Sequence, residues 1–313
     1  MFSKSFFISI SALCVATFQV PLSANAATTL VLACGGFYKG TTPPKVAIYD
    51  ISTNPVTEKW SASYAKAHDI YDSCEIVNDG TQVLVSAYRD IYLFNISDGS
   101  IAKQWRVNRS HGLDLISPSR MLVSSSSSTT DKGASHPGDV QIYDFTRSKT
   151  GPISDIQMRA THSFLPVKGI RNEYYVAWYH GIRLVSLSEV KEPHPSIHAK
   201  ANYRLPTTGT HDMVYDLSDN IIASTPTDIY TFNPYTRVAT TYFSRPVSGV
   251  KGLSINHDNG QLMYVTEYPG SPKIHQQDVK LQFNDREPVI LPQEVYRAKW
   301  VYQDSHGVYS TKD

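Results

Sequence analysis

The feature that most constrains the fold is an internal repeat of short β-strands. One copy runs as an inner strand at 74–77, a second strand at 83–88, a third at 91–95 and an outer strand at 102–105. These segments are rich in β-branched and aromatic residues, and Asn-Asp-Gly and Ser-Asp-Gly lie between them. Both tripeptides favour turns, because Asn and Gly tolerate positive φ. The pattern predicts a four-stranded antiparallel sheet as the repeating unit.

Further copies of this unit begin near His111, His162, His211 and Lys251. Six copies over residues 27–313 give about 48 residues per copy, which is close to the period of propeller blades. The two ends of the chain supply the strands of one more sheet, and joining them closes a ring without exposed strand edges. We therefore expect an all-β fold, a single six-bladed β-propeller over residues 27–313. Seven blades and a double-sheet sandwich are the alternatives.

Two kinds of segment depart from the strand pattern. Residues 124–138 are rich in Ser, Thr and Gly and interrupt the third blade between two strands. We expect a mobile loop there, which either lines a ligand entrance or serves as a solvated spacer. Helical turns are suggested only at 187–191 and 293–298.

The first 26 residues have the pattern of a cleaved signal peptide. A single Lys4 precedes an apolar stretch at 6–20, and Ala24-Asn25-Ala26 is a small-x-small cleavage signal. A retained membrane anchor is the alternative reading. We expect the mature protein to be secreted or periplasmic.

The cysteines support the same expectation. The chain has three, and removal of the signal segment takes Cys14 and leaves Cys34 and Cys74. An even pair in an exported chain suggests one disulfide. Two free buried thiols are the alternative, because the sequence does not show how far apart the two residues lie.

Basic and acidic side chains are nearly equal in number, 29 Lys and Arg against 28 Asp and Glu, with 11 His. This balance argues against a nucleic-acid binder and against a polybasic membrane-surface protein. The chain also lacks Gly-x-Ser-x-Gly, His-Glu-x-x-His, phosphate-loop and Rossmann motifs. We expect a monomer that binds a carbohydrate or another small polar ligand, without nucleic acid and without stable membrane insertion.

The repeat allows equivalent positions to be compared within one chain. The residue that opens the inner strand is His111, His162, His211, Lys251 and Lys299 in successive copies. The innermost strands of a propeller surround its channel, so these residues should form a ring near one mouth. Polar groups need partners when buried, and their recurrence here indicates a site. Carboxylates close in sequence that could orient the imidazoles are Glu75, Asp114 and Asp212.

Three chemistries suit this ring, and the sequence leaves them open. His111, His162 and His211 could bind a divalent metal ion through neutral imidazole nitrogens, with water completing the site. The ring could instead hold an anion, such as a uronate carboxylate, between Lys251, Lys299 and a protonated His. It could also consist of polar channel-lining groups that bond to water and to neighbouring blades.

Aromatic residues could extend this site at the mouth. Tyr88, Tyr179 and Tyr268 each end a second or third strand, where their rings could stack on sugar rings. Most other tyrosines fall within strands, where packing in the core is the better interpretation.

Several segments together resemble a family of exported propeller domains of unknown function. They are residues 72–75, 83–88, 91–95, 111–115, 209–212 and 250–253. The resemblance implies the propeller fold and no particular activity. More distantly, the channel histidines resemble those of propeller polysaccharide lyases, which act on uronic acids with a His-bound metal or with His and Tyr or Arg groups.

Two hypotheses of function follow. In the first, the protein is a secreted lyase or hydrolase of acidic oligosaccharides. Its catalytic or metal-binding residues are then His111, His162 and His211, and its substrate-binding residues are Lys251, Lys299 and Tyr88. In the second, the protein is a non-catalytic propeller that binds a glycan or a protein, since one propeller scaffold supports many functions.

Overall fold

A computed structural model describes residues 28–36, 43–64, 70–107, 110–125, 139–147, 151–188, 195–243, 249–267 and 278–311. The predicted signal segment, Tyr268 and residues 126–138 of the predicted loop lie outside these ranges. In the described residues no helix is long and apolar enough to cross a bilayer.

The described chain consists of strands joined by turns and short links. Blade 1 contains β1 (Leu30–Gly35), β2 (Lys45–Asp50), β3 (Thr57–Ser63), β24 (Arg297–Gln303) and β25 (Tyr309–Ser310). Blade 2 contains β4 (Tyr71–Val77), β5 (Gln82–Ala87), β6 (Asp90–Asn95) and β7 (Ile101–Arg106). Blade 3 contains β8 (Ser110–Ser117), β9 (Arg120–Ser125), β10 (Asp139–Asp144) and β11 (Ser154–Gln157).

The second half repeats the same plan. Blade 4 contains β12 (Ser163–Pro166), β13 (Glu173–Trp178), β14 (Gly181–Leu187) and β15 (Ile197–Arg204). Blade 5 contains β16 (Met213–Tyr215), β17 (Ile221–Ser224), β18 (Ile229–Asn233) and β19 (Val238–Phe243). Blade 6 contains β20 (Val250–Ile255), β21 (Leu262–Thr266), β22 (Asp278–Phe283) and β23 (Val289–Val295).

These strands form six antiparallel sheets, which confirms the six-bladed propeller. Blade 1 has the strand order β25-β24-β1-β2-β3, so strands from both ends of the chain share one sheet. Leu32 of β1 pairs with Lys299 of β24 in this sheet. The predicted closure of the ring is therefore confirmed, and the seven-bladed and sandwich alternatives are excluded.

The predicted helical turn at 293–298 is wrong. Gln293 lies in β23 and Arg297 begins β24, so both halves of the segment are extended. The suggested turn at 187–191 begins on Leu187, the last residue of β14, and residues 189–191 lie outside the described ranges. A short apolar pattern fits a helix and a strand equally well. Here pairing with neighbouring strands makes the segment extended.

The core lies between the blades. Among the described residues, each pair of neighbouring blades encloses one cluster of buried apolar side chains. Each sheet is therefore buried on both faces, which explains why its inner strands are almost continuously apolar. The largest fully buried side chains include Trp300, Tyr71, Phe94 and Phe232.

The third strands of blades 1 and 5 each end in an aromatic residue followed by a polar one, Tyr49-Asp50 in β2 and Phe232-Asn233 in β18. The aromatic members Tyr49 and Phe232 are buried in the core. The polar partner caps the turn that follows, since Asp50 Oδ1 accepts a hydrogen bond from the Ser52 amide and Asn233 Oδ1 accepts one from Tyr235. Side chains of Asp and Asn favour this local bond, which fixes the strand end.

The predicted disulfide is confirmed. Cys34 of β1 is bonded to Cys74 of β4, with their Cα atoms 6.2 Å apart, within the usual range. The bond joins blade 1 to blade 2, next to the sheet that closes the ring.

Candidate functional site

Irregularities in strand pairing position three of the channel residues. The register of the inner strand shifts at Asp72 in β4, at His111 in β8 and at Lys251 in β20. Such a bulge places one extra residue on a strand and redirects its side chain. All three bulges lie at the start of an inner strand, so they face the same mouth of the propeller.

His162 and His211 reach the same level without a bulge. The His162 amide donates to the Ala177 carbonyl at 3.1 Å, and the His211 amide donates to the Ser224 carbonyl at 3.0 Å. Each His precedes its inner strand and faces the end of the second strand, as the bulged residues do. The ring predicted at the repeat position is therefore present on these blades.

The sixth position of the ring is Tyr296 rather than Lys299. The Tyr296 amide donates to the Cys34 carbonyl at 2.8 Å, and Arg297 pairs with Cys34. Lys299 pairs with Leu32, three residues further along the chain than Tyr296, and is half-buried. Only Tyr296 separates β23 from β24, so no turn signal marks where the inner strand begins.

The three imidazoles lie in contact as a row, which we term the histidine row. The ring centroids of His111 and His162 are 5.4 Å apart, and those of His162 and His211 are 4.5 Å apart. The row ends on Lys251, whose Nζ lies 2.9 Å from His211 Nε2 and 3.0 Å from Glu267 Oε1. Residues from blades 3 to 6 thus form one polar chain around the mouth.

The accessible end of the row is at His111. His111 and His162 are half-buried, whereas His211 is 9% exposed and Lys251 is 7% exposed. Tyr88 approaches His111 edge-on, with ring centroids 6.3 Å apart. On the same blade as Tyr88, Asp72 places Oδ2 3.8 Å from His111 Nδ1.

Arg297 is a residue of the site that sequence reasoning missed. Its Nη2 donates to the carbonyl oxygens of His162 at 2.8 Å and His211 at 3.2 Å. Its Nη1 lies 3.4 Å from Ser73 Oγ and 3.8 Å from Asp212 Oδ1. The side chain therefore leaves blade 1 and contacts blades 2, 4 and 5 across the axis. No local signal in the sequence marks Arg297, because its partners lie on other blades.

Asp212 is fixed at the same level. Its Oδ2 accepts a hydrogen bond from the Leu253 amide of blade 6 at 3.0 Å, in addition to the ion pair with Arg297. Small residues make room for this network. A Cβ on Gly112 would lie 2.2 Å from the His162 carbonyl oxygen, so glycine is required for blades 3 and 4 to approach.

Burial and neighbouring positive charge keep two of the imidazoles neutral. Desolvation is the main cause that holds the pKa of His162 well below its ordinary value, and the other histidines, Lys251 and Arg297 add to it. The pKa of His211 is lowered by desolvation and then by Lys251 and Arg297, while the Gly209 carbonyl opposes the shift. Neutral imidazole presents one donor and one acceptor, so these groups form hydrogen bonds rather than ion pairs.

The geometry does not favour the predicted metal site. In the described part of the chain, no three His, Cys, Asp or Glu side chains are arranged to hold a metal ion. Nε2 of His211 already faces the Lys251 ammonium, so the lone pair that a metal would need accepts a hydrogen bond from Lys251 instead. The residues present fit a hydrogen-bonded polar ring better than a metal centre.

No protein-family model matches the chain, and no curated protein matches it. Among solved structures, the WD40 β-propeller domain of Doa1 is similar, with a TM-score of 0.53 and 10% identity over 75% of this chain and 71% of that chain. The Cps50 (Swd1) propeller domain from Myceliophteria thermophila aligns with a TM-score of 0.42 and 11% identity over 70% of each chain. At such low identity only the fold is shared, and the chain is a β-propeller that resembles WD40 propellers.

Proposed function

We propose that this protein is an exported, non-catalytic propeller that binds a carbohydrate. The binding site is the channel mouth that the histidine row lines. The observation that carries the proposal is that row, which ends on Lys251 and is accessible at His111. Neutral imidazoles match sugar hydroxyls, because each partner can both donate and accept a hydrogen bond. Tyr88 adds an aromatic ring beside the accessible end.

A buried atom of the row lacks a hydrogen-bond partner in the described part of the chain. The buried Nδ1 atom of His162 has no hydrogen-bond partner within the described residues. Buried polar atoms normally have a hydrogen-bond partner, and a buried atom without one destabilises the folded protein. Because the atom has almost no accessible surface, a ligand hydroxyl would satisfy it only after a small opening of the mouth around His162.

Export and the resemblance noted for the sequence fit this proposal. The disulfide between Cys34 and Cys74 is typical of proteins that fold in an oxidising compartment. We infer that the protein belongs with the exported propeller domains and acts as a monomer, secreted or periplasmic, without nucleic acid.

Binding is favoured over lyase or hydrolase chemistry by the state of the histidines. A general base works best when its pKa is near the ambient pH, and the pKa values of His162 and His211 are held well below it. Lys251 is paired with Glu267, so its charge is already compensated. Cleavage of uronate-containing oligosaccharides by this protein would contradict the proposal.

Calorimetric titration with a panel of neutral and acidic oligosaccharides tests the proposal. We expect His162→Ala to weaken binding by about tenfold through loss of a buried hydrogen bond. His306→Ala is the matched control, because that imidazole is 84% exposed in a turn of blade 1 and should leave affinity unchanged. Thermal denaturation of both variants reports whether they fold.

Two results would contradict the proposal. Full affinity in a folded His162→Ala variant would remove the histidine row from the site. Release of unsaturated uronate products by the wild-type protein, lost in the same variant, would show a lyase instead of a binding module.

A further inference from the structure

A second cluster lies on blade 4, at the same end of the propeller as the histidine row. Five side chains follow one another in contact: Arg183, Trp178, His180, Tyr179 and Arg159. We term this cluster the blade-4 rim. Both ends of the rim are guanidinium groups that stack on an aromatic ring, 4.1 Å above Trp178 and 3.9 Å above Tyr179. His180 packs edge-on against both rings, with centroids 5.0 and 4.9 Å away.

Backbone hydrogen bonds connect the rim to the channel mouth. The Tyr179 amide donates to the Arg159 carbonyl at 3.1 Å, so the turn after β13 is held against the link that leads to His162. The Tyr179 carbonyl accepts a bond from the Gly209 amide at 2.6 Å, in the link that leads to His211. The rim therefore contacts both of the links that lead to the histidine row, one before His162 and one before His211.

The two arginines have no acidic partner within the described residues. Some other arginines are paired with carboxylates, as in Arg106 with Asp90 and Arg120 with Asp144, although Arg286 also stacks on an aromatic ring, 3.9 Å above Phe283. Arg159 instead stacks on Tyr179 and is exposed, and Arg183 stacks on Trp178 and donates from Nε to Asn202. Stacking fixes the plane of a guanidinium and leaves its outer N–H groups free to bind a carboxylate through two parallel hydrogen bonds.

We propose that the blade-4 rim binds the carboxylate groups of an acidic oligosaccharide, one made of hexuronic acid units. The proposal rests on the carbohydrate function proposed above, because it assigns the charged part of the same ligand to the rim. Arg159 and Arg183 stand at opposite ends of the cluster, which suits a ligand with more than one carboxylate. Between them, the His180 imidazole and the Tyr179 hydroxyl can each donate or accept a hydrogen bond, which suits the many hydroxyl groups of a sugar better than the backbone of an acidic peptide.

Calorimetric titration of the full protein with a galacturonate trisaccharide, its neutral galactose counterpart and a triglutamate peptide tests this assignment. We expect the uronate to bind more tightly than the neutral sugar, and Arg159→Gln to weaken uronate binding by about tenfold through loss of a charge-assisted bond. The neutral sugar should bind the variant as well as it binds the wild type. Arg171→Gln is the matched control, because Arg171 is exposed on the same blade at the opposite end.

Each other outcome overturns the assignment in a distinguishable way. If His162→Ala abolishes binding while Arg159→Gln has no effect, the channel site stands and the rim is not part of it. Equal losses in Arg159→Gln and Arg171→Gln would show only a general effect of charge. Tighter binding of triglutamate than of the uronate would assign the rim to an acidic peptide, and absence of any sugar binding would reject the proposed function as well.

Discussion

The Arg297 guanidinium donates a 2.8 Å hydrogen bond to the carbonyl oxygen of His162, a residue three blades away around the ring. The same group also reaches the His211 carbonyl, Ser73 and Asp212. A single side chain thus connects blade 1 with the opposite side of the propeller. It holds in place the backbone that carries two members of the histidine row.

We expect Arg297→Met to destabilise the protein by about 3 kcal/mol, because the change leaves the Asp212 carboxylate buried beside unpaired carbonyl groups. Urea unfolding followed by tryptophan fluorescence measures the change. Arg171→Met is the control, since that exposed side chain makes none of these bonds. Equal stability of the two variants would contradict a structural role for Arg297.

Gly112→Ala should also destabilise the fold, by about 2 kcal/mol or more, because its new Cβ meets a backbone atom that cannot move aside. That atom is the His162 carbonyl oxygen, 2.2 Å from the added carbon. Gly151→Ala is a matched control, because a Cβ there has nothing within 4 Å. Thermal denaturation of the two variants should separate them, and a stable Gly112→Ala protein would disprove the close approach.

The disulfide should contribute about 4 kcal/mol, the loop-closure value for two residues that are 40 apart in sequence. Replacing Cys34 and Cys74 together by alanine removes the bond without leaving a free thiol. We expect a lower urea midpoint for this variant and no titratable thiol in the unreduced, mature wild type. Two reactive thiols in the denatured, unreduced protein would refute the bond.

Acid should destabilise the propeller through His162 and His211. The pKa values of His162 and His211 are depressed in the folded state, so the unfolded chain binds more protons below about pH 6.5. Their contribution to stability is complete above that pH and decreases as the pH falls towards the folded pKa values. Urea midpoints measured between about pH 7.5 and about pH 5 should show this loss, and a flatter profile is expected for His162→Gln. An unchanged profile in that variant would argue against a lowered pKa of His162.

Glu294 should give the opposite dependence on pH. Burial raises its pKa from 4.5 to about 7, so the folded state holds a proton that the unfolded chain releases. Its effect on stability therefore becomes less favourable as the pH rises from 4.5 towards 7. In Glu294→Gln this part of the profile should disappear, and the variant should be more stable than the wild type at about pH 8. Lower stability of the variant at that pH would contradict the shift.

The sequence was sufficient for the architecture because the repeat encodes it locally. Each unit carries its own strands and turn residues. Neither end of the chain supplies a complete unit, so the terminal strands were expected to share one sheet. The three histidines could be predicted for the same reason, since each opens an inner strand after a recognisable link. Tyr296 and Arg297 could not be placed, because β23 and β24 are separated by one residue and no turn signal marks the boundary.

Other parts of the site depend on distances between blades, which no local pattern encodes. The bonds from Arg297 to the His162 and His211 carbonyls join residues far apart in sequence. The same holds for the Lys251 ammonium facing His211, which changes the imidazole from a potential metal ligand into a hydrogen-bond acceptor. Of the blade-4 rim, only Tyr179 was singled out from the sequence, because the contacts that Arg159 and Arg183 make with aromatic rings join residues that no local pattern links.

The closure of blade 1 imposes an order on folding as the chain enters an oxidising compartment. β1 cannot acquire its neighbour β24 until Arg297 and the residues after it have arrived there. Cys34 and Cys74 are both made when about a quarter of the chain exists, so their bond can form while the later blades are still missing. A covalent link then keeps β1 beside blade 2 and leaves its other edge open for the last strand to arrive.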